Sequence, residues 1–171
     1  NNNAGGFLFC QATGSAILAS GKTISIGTQG FAVGSLFLKN FTQLGSTQQT
    51  LTLTGSALLD ILNSSFNGPC NFTAYENCFT TSTFNGNCDL AGTEVNLDGT
   101  RFNASYNSNS SLITLVRNQF HASAFITKTG LTQDFSAGGN HFFAAPVTFT
   151  NASNGYIVNG SALADTFDAP V

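Results

Sequence analysis

The stretch between residues 65 and 122 carries one four-residue phrase four times: Ser65-Phe66-Asn67-Gly68, Thr83-Phe84-Asn85-Gly86, Arg101-Phe102-Asn103-Ala104 and Gln119-Phe120-His121-Ala122. The four phenylalanines are 18 residues apart each time. Looser copies are Asn40-Phe41-Thr42, Phe142-Phe143-Ala144 and Phe167-Asp168-Ala169. An aromatic residue that returns at equal spacing, with a small residue two positions later, is typical of a coil that stacks on itself.

The residues before each phenylalanine form columns when the copies are aligned. Mostly apolar residues stand seven positions before it (Leu59, Asn77, Val95, Ile113, Phe135) and five positions before it (Ile61, Phe79, Leu97, Leu115, Ala137). Both positions lie on the same side of a strand, which we predict to face inward. The position between them is mostly polar and is predicted to face outward (Asp60, Cys78, Asn96, Thr114, Ser136).

These columns predict an all-β fold, a single-stranded parallel β-helix (β-solenoid) with rungs of 18 to 25 residues. Helices are disfavoured because Gly, Asn and Thr interrupt every window. We expect one domain, with residues 1–22 as an N-terminal cap or lead-in that includes a capping turn or short helix at 12–19, and residues 23–171 as the solenoid. The chain contains no methionine and opens on Asn1-Asn2-Asn3, which favours an excerpt of a longer chain.

Two ladders of stacked side chains follow from the alignment. We predict a core ladder of phenylalanines, each one packing on the next coil: Phe41, Phe66, Phe84, Phe102, Phe120, Phe142 and Phe167. Asn67, Asn85 and Asn103 are predicted to form an asparagine ladder, in which each side-chain amide bonds to the next along the axis.

Composition excludes several functions. Only 8% of the residues are charged, the net charge is −3, and there are five basic residues, so a nucleic-acid surface is not expected. No run approaches the roughly 18 apolar residues of a membrane span, so membrane insertion is not expected either.

The four cysteines are compatible with zero, one or two disulfides. Cys70 and Cys88 are 18 residues apart, and stacked coils would place them within reach of a rung-to-rung disulfide. The alternative is a buried pair of reduced thiols. Cys78 lies in the outward column and could meet Cys10 or a neighbouring chain instead. The spacings do not predict a zinc site.

Glu76 and Glu94 are also 18 residues apart. Two carboxylates on successive coils could share a cation such as calcium, or act as an acid and nucleophile pair on a glycan. Leu58 and Leu112 occupy the same column, however, which favours two solvated acids. We therefore predict no cofactor, with calcium as the one candidate ion. Were the protein an enzyme, the first residues to test would be Glu76, Glu94, Asp98 and Arg101. Arg101 and Arg117 lie near Asp98 in sequence and more often form a surface ion pair than an active centre.

The run from Leu112 to Ala122, and the later Gly139-Asn140-His141-Phe142, resemble rungs of the right-handed parallel β-helix of the pectin-lyase-like class. That class includes polysaccharide lyases and hydrolases, surface adhesins, and viral tailspikes and capsid-associated spikes. Coils of 18 residues also occur in left-handed hexapeptide β-helices, but the aliphatic residue at every sixth position is missing here. The resemblance therefore implies a right-handed coil.

The sequence thus supports a non-enzymatic structural or binding module on a virion surface, such as a bacteriophage fibre, spike or capsid-decoration protein. We expect it to form a homotrimer, to contact other virion proteins and to touch host surface polysaccharide. One alternative is a β-helix polysaccharide lyase or hydrolase. The other is a secreted cell-surface adhesin, for which the seven Asn-x-Ser/Thr sequons (Asn40, Asn63, Asn71, Asn103, Asn109, Asn151, Asn159) would supply glycosylation sites.

Overall fold

The computed structural model describes residues 7–9, 14–25, 34–144 and 146–168. The regular secondary structure within these ranges consists of strands alone. The strands are β1 Phe7–Phe9, β2 Ala16–Leu18, β3 Ser35–Lys39, β4 Phe41–Gln43, β5 Gln49–Thr52, β6 Leu58–Leu62, β7 Ser65–Phe66, β8 Cys70–Thr73, β9 Glu76–Thr80, β10 Thr83–Phe84, β11 Cys88–Asp98, β12 Arg101–Phe102, β13 Tyr106–Val116, β14 Gln119–Phe120, β15 Ala124–Lys128, β16 His141–Phe142, β17 Val147–Asn151 and β18 Thr166–Phe167.

All the pairings between these strands are parallel, and each strand pairs with its counterpart one coil along the chain. The protein is therefore a parallel β-solenoid of about five coils of roughly 18 residues. Each regular coil runs along three walls. Wall A contains β5, β8, the first halves of β11 and β13, β15 and β17. Wall B contains β1, β3, β6, β9 and the second halves of β11 and β13. Wall C contains the two- and three-residue strands from β2 to β18.

The inward columns hold through the regular coils. Leu59, Val95 and Ile113 are buried, as are Ile61, Phe79, Leu97 and Leu115. Gly68 and Gly86 end the phrase where neighbouring coils are closest. A Cβ at Gly86 would lie 2.4 Å from the backbone carbon of Gly68, so only glycine fits there. The small residue two positions after the phenylalanine is thus explained by close contact between coils.

The alignment is wrong for the coil that ends at Phe142. Phe135 and Ala137 were predicted to face inward and Ser136 outward, but Phe135 is exposed and Ser136 is buried. This coil is 22 residues long and has no wall B strand. Asp134 and Ser136 instead turn inward and accept hydrogen bonds from the backbone N–H groups of Ile113 (3.1 Å) and Leu115 (3.0 Å). The second half of β13 pairs with no strand of this coil and has only one bridge to it, from Val116 to Gly138. The inward side chains of Asp134 and Ser136 satisfy its backbone N–H groups instead, and the inward parity shifts by one residue.

The register is also offset at Phe41. Thr42 pairs with Ser65, so Gln43 falls opposite Phe66 and Phe41 falls opposite Ser64. The copy at Asn40-Phe41-Thr42 is therefore displaced by two residues from the later phrases. Phe41 is buried all the same, and its ring packs 5.4 Å from that of Phe66 at a 35° tilt.

The described residues near the N-terminus include two strands. Residues 16–18 of the segment expected to form a capping turn or helix are a strand, β2, which pairs in parallel with β4 on wall C. Phe7–Phe9 pairs with β3 on wall B. The described parts of this segment therefore belong to the solenoid walls, because an apolar strand can extend an existing parallel sheet.

Candidate functional site

The outer side of wall C presents two side-by-side columns of polar and aromatic side chains, which we call the ladder face. The first column holds Thr42, Ser65, Thr83, Arg101, Gln119, His141 and Thr166, which pair in register from coil to coil. The second column holds the residues that follow the core phenylalanines, namely Asn67, Asn85, Asn103, His121, Phe143 and Asp168. The inward phenylalanines fix the spacing of both columns.

The asparagines of the second column are joined along the solenoid axis. Asn85 Nδ2 donates to Asn67 Oδ1 at 2.7 Å, and Asn103 Nδ2 donates to Asn85 Oδ1 at 2.6 Å. Asn67 Nδ2 donates to the Leu44 carbonyl at 3.3 Å, and Arg101 Nε donates to Asn103 Oδ1 at 2.7 Å. Each amide is therefore held in one orientation before any partner arrives.

An aromatic cluster continues the column beyond Asn103. The rings of His121 and Phe143 stack with centroids 4.2 Å apart, and His141 stacks on Phe143 at 3.6 Å. His141 Nε2 lies 2.8 Å from Asp168 Oδ2, on the next coil. Partial burial, together with the positive charges of Arg101 and His141, lowers the pKa of His121 below its ordinary value. The cluster therefore places apolar ring surface beside hydrogen-bonding groups on an exposed sheet.

The core beneath the ladder face is an aromatic stack. Phe66, Phe84, Phe102 and Phe120 are stacked with centroids 5.2 to 5.3 Å apart and ring planes within 11° of parallel. Phe142 and Phe167 extend the stack at 4.7 Å per step. Phe167 is partly exposed at the end of the stack. Offset aromatic stacking of this kind adds to the stability gained by burying the rings.

A second ladder, not predicted from the sequence, lies inside the corner between walls B and C. It stands two positions before the core phenylalanines and contains Ser64, Ser82, Thr100, Asn118, Asn140 and Asp165. Asn118 Oδ1 accepts from the Thr100 backbone N–H at 3.0 Å, and its Nδ2 donates to the Leu97 carbonyl at 3.1 Å and to Asn140 Oδ1 at 2.9 Å. The uniformly small polar character of that column was the signal in the sequence. This ladder satisfies backbone groups where the chain turns.

The four residues named as first candidates for catalysis do not gather at one place. Glu76 and Glu94 are register partners on the outer side of wall B, between Leu58 and Leu112 in the same column. Asp98 lies on wall B as well, but Arg101 belongs to wall C. Asp98 instead forms a bidentate, exposed ion pair with Arg117, at 2.7 and 2.8 Å. Such exposed pairs usually add only about 0–1 kcal/mol to stability.

The acidic side chains near Glu76 lie at separate positions along wall B. Glu76 Oε1 accepts a hydrogen bond from Asn96 Nδ2 at 2.8 Å. Burial raises the pKa of Asp60, with Glu76 adding to the rise and Lys39 opposing it. Among the residues that the structure describes, no group of three or more His, Cys, Asp or Glu side chains is placed to hold a metal ion. Glu76 and Glu94, the weak candidates for calcium, are therefore not part of such a group.

Cys70 and Cys88 lie directly opposite each other on β8 and β11, inside wall A. Both are buried free thiols in the structure, which is the second of the two arrangements that their spacing allowed. Burial raises the pKa of each thiol, that of Cys88 far above its ordinary value. Cys78 is a free, half-buried thiol on the outer side of wall B; the suggested partner Cys10 lies outside the described residues.

The fold defines the class of protein, a parallel β-solenoid, and the comparisons with known proteins add no narrower group. No protein-family model matches the sequence, and no curated protein or solved structure matches the chain. The comparisons therefore give no support to the expected likeness to pectin-lyase-like β-helices and to viral spikes. In the described ranges, no helix has the length and apolar character needed to cross a membrane.

Proposed function

We propose that the protein is a structural and binding module that contacts surface glycans through the ladder face, in the setting of a virion surface. The ladder face carries this proposal. Its side chains repeat once per coil, about every 4.8 Å along the axis. A glycan chain lying along that axis would meet an equivalent row of hydrogen-bonding groups at each coil, and weak contacts of this kind add up along a chain.

The chemistry of the ladder face suits sugars. Asn67, Asn85 and Gln119 are exposed amides that can both donate and accept, as sugar hydroxyls require. Phe143 lies between the rings of His121 and His141 and offers its exposed ring edge as an apolar contact for a sugar. Because the asparagine amides are already hydrogen-bonded to one another, less conformational entropy is lost on binding.

Binding of the purified protein to immobilised polysaccharides of known composition tests the proposal. We expect Gln119→Ala to weaken binding about two- to tenfold, since one hydrogen bond contributes about 0.5–1.5 kcal/mol. Phe143→Ala should weaken binding as well, because it removes the apolar ring contact. Asn107→Ala and Thr73→Ala are matched controls, because these residues face outward on wall A and leave the ladder face intact. No binding to any polysaccharide, or an equal loss in the wall A controls, would contradict a glycan-binding ladder face.

Glu76 and Glu94 are register partners on successive coils, and for this reason a polysaccharide hydrolase is a second candidate function. The same panel separates the two: release of reducing or unsaturated sugar, lost in Glu76→Gln and Glu94→Gln, would identify an enzyme. A binding module retains its polysaccharide affinity in both variants and releases no product.

Self-association, the expected homotrimer, is supported by exposed apolar side chains near the C-terminal end. Leu131, Phe135, Tyr156 and Leu163 are between 47% and 71% exposed, on the segments that replace wall B in the last two coils. Large apolar side chains left exposed on one part of a fold are typical of interaction surfaces. Light scattering should give three times the 17.8 kDa chain mass, and Phe135→Ser with Tyr156→Ser should reduce it to the monomer. A monomeric mass for the unchanged protein would contradict the trimer.

A further inference from the structure

Lys128 is a fully buried lysine, and it lies against a buried carboxylate. Its side chain is 0% exposed and that of Asp134 is 1% exposed. Lys128 Nζ donates to Asp134 Oδ1 at 2.7 Å and to the Ser111 carbonyl at 2.8 Å. Asp134 Oδ1 also accepts the Ile113 backbone N–H at 3.1 Å. The two side chains are therefore fixed in contact where wall A ends and the irregular coil begins.

Burying two opposite charges inside the solenoid costs free energy. Each ion loses its hydration, and a buried pair regains that loss only with very good geometry and additional hydrogen bonds. In water, an amine and a carboxylic acid resist condensation mainly because both are ionised and well solvated. Inside the solenoid neither side chain is solvated, and a neutral amide would carry far less desolvation cost than the ion pair.

We propose that Lys128 and Asp134 form a self-modification site, at which the two side chains condense to an intramolecular amide. One proton passes from Nζ to the carboxylate across the 2.7 Å hydrogen bond, which gives a neutral amine and a carboxylic acid. The Nζ lone pair then forms a bond to Cγ of Asp134. The Cγ–O bond breaks, and the departing hydroxyl leaves with the second amine proton as water. The step needs no oxidant, reductant or other reactant.

The surroundings match what that step requires. The Ser111 carbonyl holds the amine in place, and fixing two reacting groups in contact gives a large rate advantage over the free groups. Oδ1 receives the proton and becomes the departing hydroxyl, while negative charge develops on Oδ2 as Nζ attacks. The Ile113 N–H donates to Oδ1 at 3.1 Å and so holds the carboxyl group in place against the amine.

The bond would close the segment 129–133, most of which is exposed. The coil that contains residues 129–133 is the first to lack a wall B strand, so this segment forms no β-ladder on wall B. A covalent link between Lys128 and Asp134 would fix both ends of the segment and hold Asp134 against Ile113. The irregular coil would then be fixed as firmly as the regular coils before it.

The intact mass of the reduced, deglycosylated full chain decides the matter without any variant. We expect a mass lower than the sequence mass by one water molecule, and a branched peptide joining Lys128 to Asp134 after proteolysis. Lys128→Arg, which keeps the charge but cannot form the amide, should restore the full mass.

Water can also be lost by succinimide formation at Asp98-Gly99, so hydroxylamine treatment is the matched control. It cleaves a succinimide and leaves a side-chain amide intact. The full sequence mass in the unchanged protein would overturn the proposal and leave Lys128 and Asp134 as an ion pair. A water loss that persists in Lys128→Arg, or that hydroxylamine removes, would overturn it equally.

Discussion

Phe102 and Phe120 stack on successive coils with ring centroids 5.2 Å apart and planes 7° from parallel. Both are at most 1% exposed, so each ring packs entirely within the core. Their 18-residue spacing is also the coil length of the regular part of the solenoid. The stack therefore links the repeat in the sequence to the stability of the fold.

Replacing Phe102 with Ala should lower the free energy of unfolding by about 3–5 kcal/mol, because it leaves a cavity between two stacked rings. Phe167→Ala is the matched control. That ring ends the stack and is partly exposed, so its removal should cost clearly less. Denaturant unfolding measures both values. Equal losses for the two variants would show that the interior of the stack contributes no more than its end.

Asn118 should be far more important for stability than the asparagines of the ladder face. In Asn118→Leu, the Thr100 N–H and the Leu97 carbonyl lose their partner inside the corner between walls B and C. Each buried polar group left unpaired costs about 1–3 kcal/mol. Asn103→Leu breaks a bond that water can replace, so we expect a loss below about 1 kcal/mol. Thermal unfolding of both variants gives the comparison, and a milder effect at Asn118 would count against the buried ladder.

The sequence predicted the regular coils because a fixed period aligns residues without any knowledge of contacts. Phe84 and Asn85 could be assigned to opposite sides of one strand in this way, and the assignment to a β-solenoid followed. The period also aligned Ser82, Thr100 and Asn118, but a polar column is equally compatible with an exposed turn. Only the structure shows that this column is inside, where it bonds to carbonyls of the preceding wall.

The 18-residue period ends after Phe120, and the alignment based on it fails in the next coil. The next coil is 22 residues long, and Phe135 faces out where the 18-residue frame placed it inside. Hydrophobicity could not reveal this change, because Asp134 and Ser136 turn inward to bond backbone N–H groups of the preceding coil. The contact between Lys128 and Asp134 was hidden for the same reason. A charged pair is not expected at inward positions unless the coil geometry is known.

The pKa of His121 should respond to Arg101. Partial burial lowers this pKa, and the charges of Arg101 and His141 lower it further. His121 should therefore titrate below its ordinary value of 6.5 in imidazole NMR spectra. Its contribution to stability is present above pH 6.5 and is lost as the pH falls through the lowered folded-state pKa. Arg101→Gln should raise the pKa of His121.

Arg117→Gln is the matched control for that experiment, because Arg117 pairs with Asp98 and is not among the groups that shift His121. It should leave the His121 titration unchanged. The same shift in both variants would mean that a general change in net charge, and not the proximity of Arg101, sets the pKa.

The three described thiols should differ in reactivity according to their burial. Thiolate is the reactive form, and burial raises the pKa of Cys70 and Cys88 above the ordinary 9.0. Burial, together with Asp60, Glu76 and Asp98, raises the pKa of Cys78 to about 11. In the native protein, iodoacetamide should therefore modify Cys78 first, and the rate should rise about tenfold per pH unit towards pH 11. Stability from the buried neutral thiols should be present below pH 9.0 and fall as the pH rises above it.

Peptide mapping after alkylation in denaturant without reductant completes the experiment. Free thiols at Cys70 and Cys88 should both be modified, because unfolding exposes them and returns each pKa to its ordinary value. The two residues lie in register on adjacent coils, so a disulfide remains geometrically accessible to the oxidised protein. Resistance of this pair alone, reversed by reductant, would establish the bridge. Rapid modification of Cys88 in the native state would instead show that wall A opens far more readily than its burial implies.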